Sequence, residues 1–153
     1  MAITTAMPTS FKVELFQGAH DFRLTGGDTF KLALIKSGMA GTYGAASTNY
    51  SNITGNSDEV GNSGTYSAGG GTLTRIDPTS SGTTAFVDFA DISFTSATIS
   101  SDGCMIYNTT PAVGSANSAV SVHDFGGTKS STAGTFTIQF PTADASNAII
   151  RIA

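Results

Sequence analysis

Between Gly82 and Asn108 apolar residues alternate with small polar ones for longer than anywhere else in the chain. Ala85, Val87 and Phe89 share one parity and Phe86 and Asp88 the other, and Ile92 and Phe94 resume the pattern after Ala90-Asp91. A period of two puts successive side chains on opposite faces of a strand. Val, Ile, Phe, Tyr and Thr also suit a pleated surface. The stretch predicts one strand up to Phe89, a second through Ile92 and Phe94, a turn at Ser100–Gly103, and a third strand from Cys104 to Tyr107.

The same pattern recurs on both sides. Gly26-Gly27-Asp28 turns the chain into TFKLALI, where Phe30, Leu32 and Leu34 oppose Lys31 and Ala33. Leu73 and Ile76 mark a strand expected to end at Asp77-Pro78, followed by a loop over 79–82. A turn region with Pro111 spans 108–117. Strands are then predicted over 119–125, over TFTIQF with Phe136, Ile138 and Phe140 on one face, and at the C-terminal Ile149–Ile152, with the KSSTAG segment as a loop. About eight strands without intervening helices predict an all-β fold, an antiparallel β-sandwich or jelly roll. The expected core is Phe30, Leu32, Leu34, Val87, Phe89, Phe94, Phe136, Ile138 and Phe140.

One short helix is predicted over 10–18. Ser10 would cap it, Phe11 and Leu15 lie i,i+4, Val13 and Phe16 widen the apolar stripe, and Gly18 would stop it. Residues 1–9 are uncharged and Thr-rich, and they read as an extended arm ahead of a single domain over 10–153. Such an arm can pack on its own domain or add to the sheet edge of a neighbour. In the second case Ile3 and Met7 would be the anchors, with Pro8 fixing the bend. From Ser37 to Gly71 the alternation thins into Gly, Ser, Asn and Thr, with Tyr43, Tyr50 and Tyr66 widely spaced. That reads as a functional loop or a string of short edge strands.

Composition narrows the function classes. Charged residues make up 12% of the 153, mean hydropathy is +0.07, and the seven Lys and Arg are scattered. Nucleic-acid binding needs clustered positive charge, so it is disfavoured. The sparse charge also leaves the surface open to association, and a homo-oligomer is expected. The single cysteine, Cys104, excludes an intrachain disulfide and reads as a buried small hydrophobe. The N-terminal segment has no basic n-region or apolar h-region, which predicts no signal peptide, and no run is long enough to predict a transmembrane helix.

Candidate chemistry is thin. His123 and Asp124 are adjacent on a predicted strand and would face opposite ways, which rules out a regular His–Asp dyad. His20-Asp21 lacks a nucleophile motif, and no Gly-x-Ser-x-Gly elbow occurs. Asn56, Asp58, Glu59 and Asn62 supply hard oxygens in a Gly-rich loop, but their spacing does not match a calcium-binding loop. Gly69-Gly70-Gly71 lacks the Gly-Lys-Ser/Thr of a phosphate cradle. No enzyme, metal or cofactor is expected. Loop tyrosines on a β-sandwich could serve glycan binding, but packing against the sheet edge is the favoured reading, because amphipathic Tyr commonly fills that role.

The opening MAITTAMPTSFKVELFQGAHDF, the central FVDFADISFTSATISSDGCMIYN and the closing STAGTFTIQFPTADASNAIIRIA resemble a family of small virion proteins of tailed bacteriophages, taken to be head-decoration (cement) proteins. The resemblance spans the chain and is weakest over 38–71. It implies a β-sandwich or jelly roll on the capsid exterior that bridges major capsid protein subunits, made in the host cytoplasm, with no catalytic residues. The other reading is a tail or fibre module that binds a host surface glycan. The residues expected to meet a partner are Ile3, Met7, Pro8, Tyr43, Tyr50 and Tyr66.

Overall fold

The structure, a computed structural model, describes residues 1–153. In chain order the elements are β1 (Ala2–Ile3), α1 (Thr9–Phe16), β2 (Phe30–Lys36), β3 (Thr42–Tyr43), α2 (Ser51–Gly55), β4 (Gly71–Thr72), β5 (Arg75–Ser81), β6 (Thr84–Phe89), β7 (Ile92–Asn108), β8 (Ser118–Ile138) and β9 (Ile150–Ile152). The protein is all-β. Its main sheet runs β4-β2-β7-β8, all antiparallel, and a second sheet runs β5-β6-β9.

The alternation in β2 decides the layering. Phe30, Leu32 and Leu34 point to one face of the main sheet, beside Phe94, Ile99, Cys104 and Ile106 of β7 and Phe136 of β8. Phe11 of α1, Phe22, Phe89 of β6 and Ile150 of β9 close that face. Phe22 stacks on Phe30 at 4.5 Å, and Phe89 tilts against Phe30 at 5.7 Å. The odd-numbered set, Ala33 and Ile35, lies on the other face with Met105, Tyr107, Ala119 and Val122. Tyr43 and Ile53 cover that face, with Ile3, Met39 and Tyr50 at its margin. The main sheet is therefore buried on both sides, which explains the near-continuous apolar run LALI. Of the nine predicted core residues, six are buried, while Val87, Ile138 and Phe140 are partly buried against the same cluster.

Several boundaries differ from expectation. β7 runs through Ser100–Gly103 without a turn, and β8 runs through KSSTAG without a loop, because the two strands stay paired at Ser100↔Ser130 and Ser101↔Lys129. The register shifts along this ladder mark bulges, with positive φ at Gly126, Gly127 and Ala133. The bulged stretches carry no apolar alternation, because Lys129–Gly134 is largely exposed and the buried positions of the other, Ser101 and Gly103, are not apolar side chains, so nothing in the sequence marked them. β5 continues past Pro78 to Ser81. This is tolerated because β5 is an edge strand with a register shift between Ile76 and Thr79.

There are two short helices, not one. α1 starts at Thr9 after Pro8 with no side-chain cap, and Ser10 lies inside it. Its stop is as expected: Gly18, at φ 69°, donates to Leu15 O, and Ala19 donates to Glu14 O. Phe11 is buried and Leu15 partly buried against the core, while Val13 and Phe16 turn away from it, so only half of the expected stripe faces the core. α2 was not legible, because SNITG has no helical period and only Ile53 is buried.

Candidate interaction surface

The arm folds back on its own domain. β1 pairs in parallel with β3, Ala2 against Thr42 and Ile3 against Tyr43. Thr4 N donates to Tyr43 O at 2.9 Å, and Ala6 and Val122 exchange a pair of bonds at 3.0 and 2.9 Å. Ile3 packs so closely on Gly103 that a Cβ there would lie 2.7 Å from Ile3 Cδ1. Met7 is partly buried against the main core and Pro8 is buried. The expected anchors are thus spent within the molecule, because the edge at β3 and β8 lies close enough for the arm to satisfy its own main chain there.

The 38–71 segment is organised by two neighbouring carboxylates. Asp58 is fully buried and accepts from Ala40 N, Gly41 N and the Tyr43 hydroxyl at 2.6–2.9 Å, with Lys36 Nζ 3.6 Å away. Burial works against its charge. The bonds from Tyr43, Ala40 and Gly41, with Lys36, outweigh that and hold its pKa below the usual carboxylate value. Burial, then Asp58, push the Tyr43 phenol up to about 12. Glu59 accepts from Tyr50, Tyr66 and Gly69 N. Burial and this carboxylate raise both phenols.

Tyr43 and Tyr66 are 1% and 0% exposed, so neither is a surface aromatic. Tyr50 is half-buried and stacks on Tyr107 at 4.6 Å, so that face is covered as well. The loop tyrosines pack against the sheet rather than presenting a platform. Carboxylates that face N–H and O–H donors are also poorly arranged to ligate a cation.

The remaining polar groups are placed for structure. Both His20 ring nitrogens are engaged: Nε2 donates to Glu14 Oε2 at 2.7 Å, and Nδ1 accepts from Asn108 Nδ2 at 2.9 Å. Neither nitrogen is left to activate a nucleophile. His123 bonds Ser121, not Asp124, and burial lowers its pKa to about 4. Cys104 is buried, and its thiol is pushed up to about 12. Asp88 is 1% exposed; its Oδ1 accepts from Phe89 N, its Oδ2 has no partner, and burial raises its pKa. No group of three or more His, Cys, Asp or Glu is placed to hold a metal ion, and no helix is long and apolar enough to cross a membrane.

What the surface does offer is apolar. Phe16, at the end of α1, is 95% exposed, and Val13 one turn earlier is 52% exposed. Next to Phe16, Leu15 lines a groove of about 110 Å³ with Phe22, Ala85, Phe86, Val87 and Ile150. Ile152, 62% exposed, stands at the same groove. The groove lies between Leu15 of α1 and the β5-β6-β9 sheet. The i,i+3 spacing of Val13 and Phe16 was the available signal. It reads equally well as a core stripe, and only the position of Phe11 settles which way the helix faces. No protein-family model, curated protein or solved structure matches the chain.

Proposed function

We propose that the chain is a head-decoration (cement) protein of a tailed bacteriophage, which binds the capsid exterior and bridges neighbouring major capsid protein subunits without catalysis. The observation that carries the reading is Phe16, an aromatic side chain 95% exposed on α1, the helix whose Leu15 lines an apolar groove with the β5-β6-β9 sheet. An exposed aromatic on a rigid support is the kind of residue that anchors an interface. The sequence resemblance supplies the capsid as partner. Many copies of a small rigid domain, each spanning two subunits, gain avidity and resist shell expansion.

The test is decoration of emptied, tailless heads by the purified chain, with a V13S/F16S variant alongside. The unmodified chain should bind heads and appear on their outer surface by electron microscopy, and the variant should fold but bind at least tenfold more weakly. Localisation to the tail, or glycan binding with no attachment to heads, would overturn the reading.

A further inference from the structure

Sheet edges are templates for another strand unless they are blunted, and three of the four edges of the two larger sheets are. β4 is two residues long. β5 carries Pro78 and a register shift. β9 is three residues long with Arg151 at its centre, so pairing with a second β9 would set arginine against arginine.

The outer edge of β8 is different. Up to Asp124 it is covered, by bonds from Ala119 to Thr48, between Val122 and Ala6, and from Asp124 to Thr5. Beyond that its main chain pairs only with β7. The bulge at Ala133, φ 46°, interrupts the strand, and Gly134–Ile138 then runs to its end with no extra residue of its own, the one register shift opposite it lying on β7 between Phe94 and Ala97. Those five residues, Gly-Thr-Phe-Thr-Ile, contain no charge and no proline. An open groove of about 430 Å³, lined by Phe125, Lys129, Thr135, Thr137 and Gln139 among others, flanks them.

We infer that Gly134–Ile138 is a self-association edge, which pairs antiparallel with the same stretch of a second copy about a two-fold axis at Phe136. The register follows from the limits of that segment, whose midpoint is Phe136. Pairing there sets Thr135 against Thr137 twice and Gly134 against Ile138. Threonine pairs across antiparallel strands are favourable, and no like charges meet. A two-fold contact of this kind is closed, so it yields a dimer rather than a fibre. Phe136 is already buried, so the paired strands would join two cores side by side. The inference is independent of the capsid reading.

Thr135 and Thr137 are both exposed, so substitutions there leave the fold intact. The unmodified chain should sediment as a dimer. T135K/T137K places like charges opposite each other at both positions and should sediment as a monomer with an unchanged circular dichroism spectrum. T135K/T137E places opposite charges across the same axis and should restore the dimer. Hydrogen exchange on the unmodified chain gives a second readout: protection of the 134–138 amides should fall on dilution. A monomeric unmodified chain, a dimer that survives T135K/T137K, or a T135K/T137E chain that stays monomeric would each overturn the inference.

Discussion

The Tyr43 hydroxyl donates to Asp58 Oδ2 at 2.6 Å, with both residues sealed from solvent. This contact pins the segment that roofs the second face of the main sheet. Asp58→Ala would strand the donors of Ala40, Gly41 and Tyr43, and should cost on the order of 3–5 kcal/mol. Tyr43→Phe removes one donor to a charged acceptor and should cost about 1.5–3 kcal/mol. Urea unfolding of the two variants checks the order; equal, small effects would show that the carboxylate does not organise the segment.

Acid should act through Asp58 and His123 in separate windows. Burial lowers the folded pKa of His123 to about 4 from the ordinary 6.5, so the unfolded chain binds more protons between those values. The His123 contribution to stability should therefore be full above pH 6.5, decline as pH falls, and level off below about 4, with a loss of about 3 kcal/mol at most. Asp58, whose pKa is depressed from 3.8, contributes stability that is present above 3.8 and lost as pH falls further. Unfolding free energies from pH 7 to 3 test this, and His123→Gln should flatten only the upper limb.

Phe89 lies within 5.6–6.4 Å of the rings of Phe140, Phe30 and Phe22, where the two sheets meet. Phe89→Ala should cost about 3–5 kcal/mol in chemical denaturation. A loss below 1 kcal/mol would mean that the second sheet is not closed over the first.

Deleting residues 2–8 should destabilise the isolated domain. It removes main-chain bonds to Tyr43 and Val122 and uncovers Gly103 where Ile3 packs. At about 1 kcal/mol net per bond, the loss is on the order of 2–4 kcal/mol, and the thermal midpoint should fall by roughly 5–15 °C. A truncated chain that melts with the full-length one would show that the arm is not held by its own domain.

What was legible in the sequence was what faces a core. Phe30, Leu32 and Leu34 declared their strand because alternate positions meet different surroundings, and Gly18 declared the helix end through the backbone conformation it permits. The long β7–β8 ladder was hidden at Ser100–Gly103, where the buried positions Ser101 and Gly103 are small or polar, and at Lys129–Gly134, where mostly exposed residues need no alternation. Tyr43, Tyr50 and Tyr66 left two readings open for a related reason, and the packing reading is the one the structure bears out. A phenol looks amphipathic in sequence whether its hydroxyl meets solvent or a buried carboxylate such as Asp58 or Glu59. Val13 and Phe16 had helical spacing, but spacing fixes only that they share a face, not what that face meets.

The pairing of β2 with β7 also governs the order of events at the ribosome. Leu34 finds its neighbour in Cys104, and the arm closes on Val122. Until those residues emerge, the apolar FKLALIK segment has no sheet to join, and topology so dominated by distant partners folds slowly. The nascent chain therefore carries an uncovered strand through most of its synthesis. Its yield in a cell should depend on how well holdase chaperones shield that strand until the C-terminal half arrives.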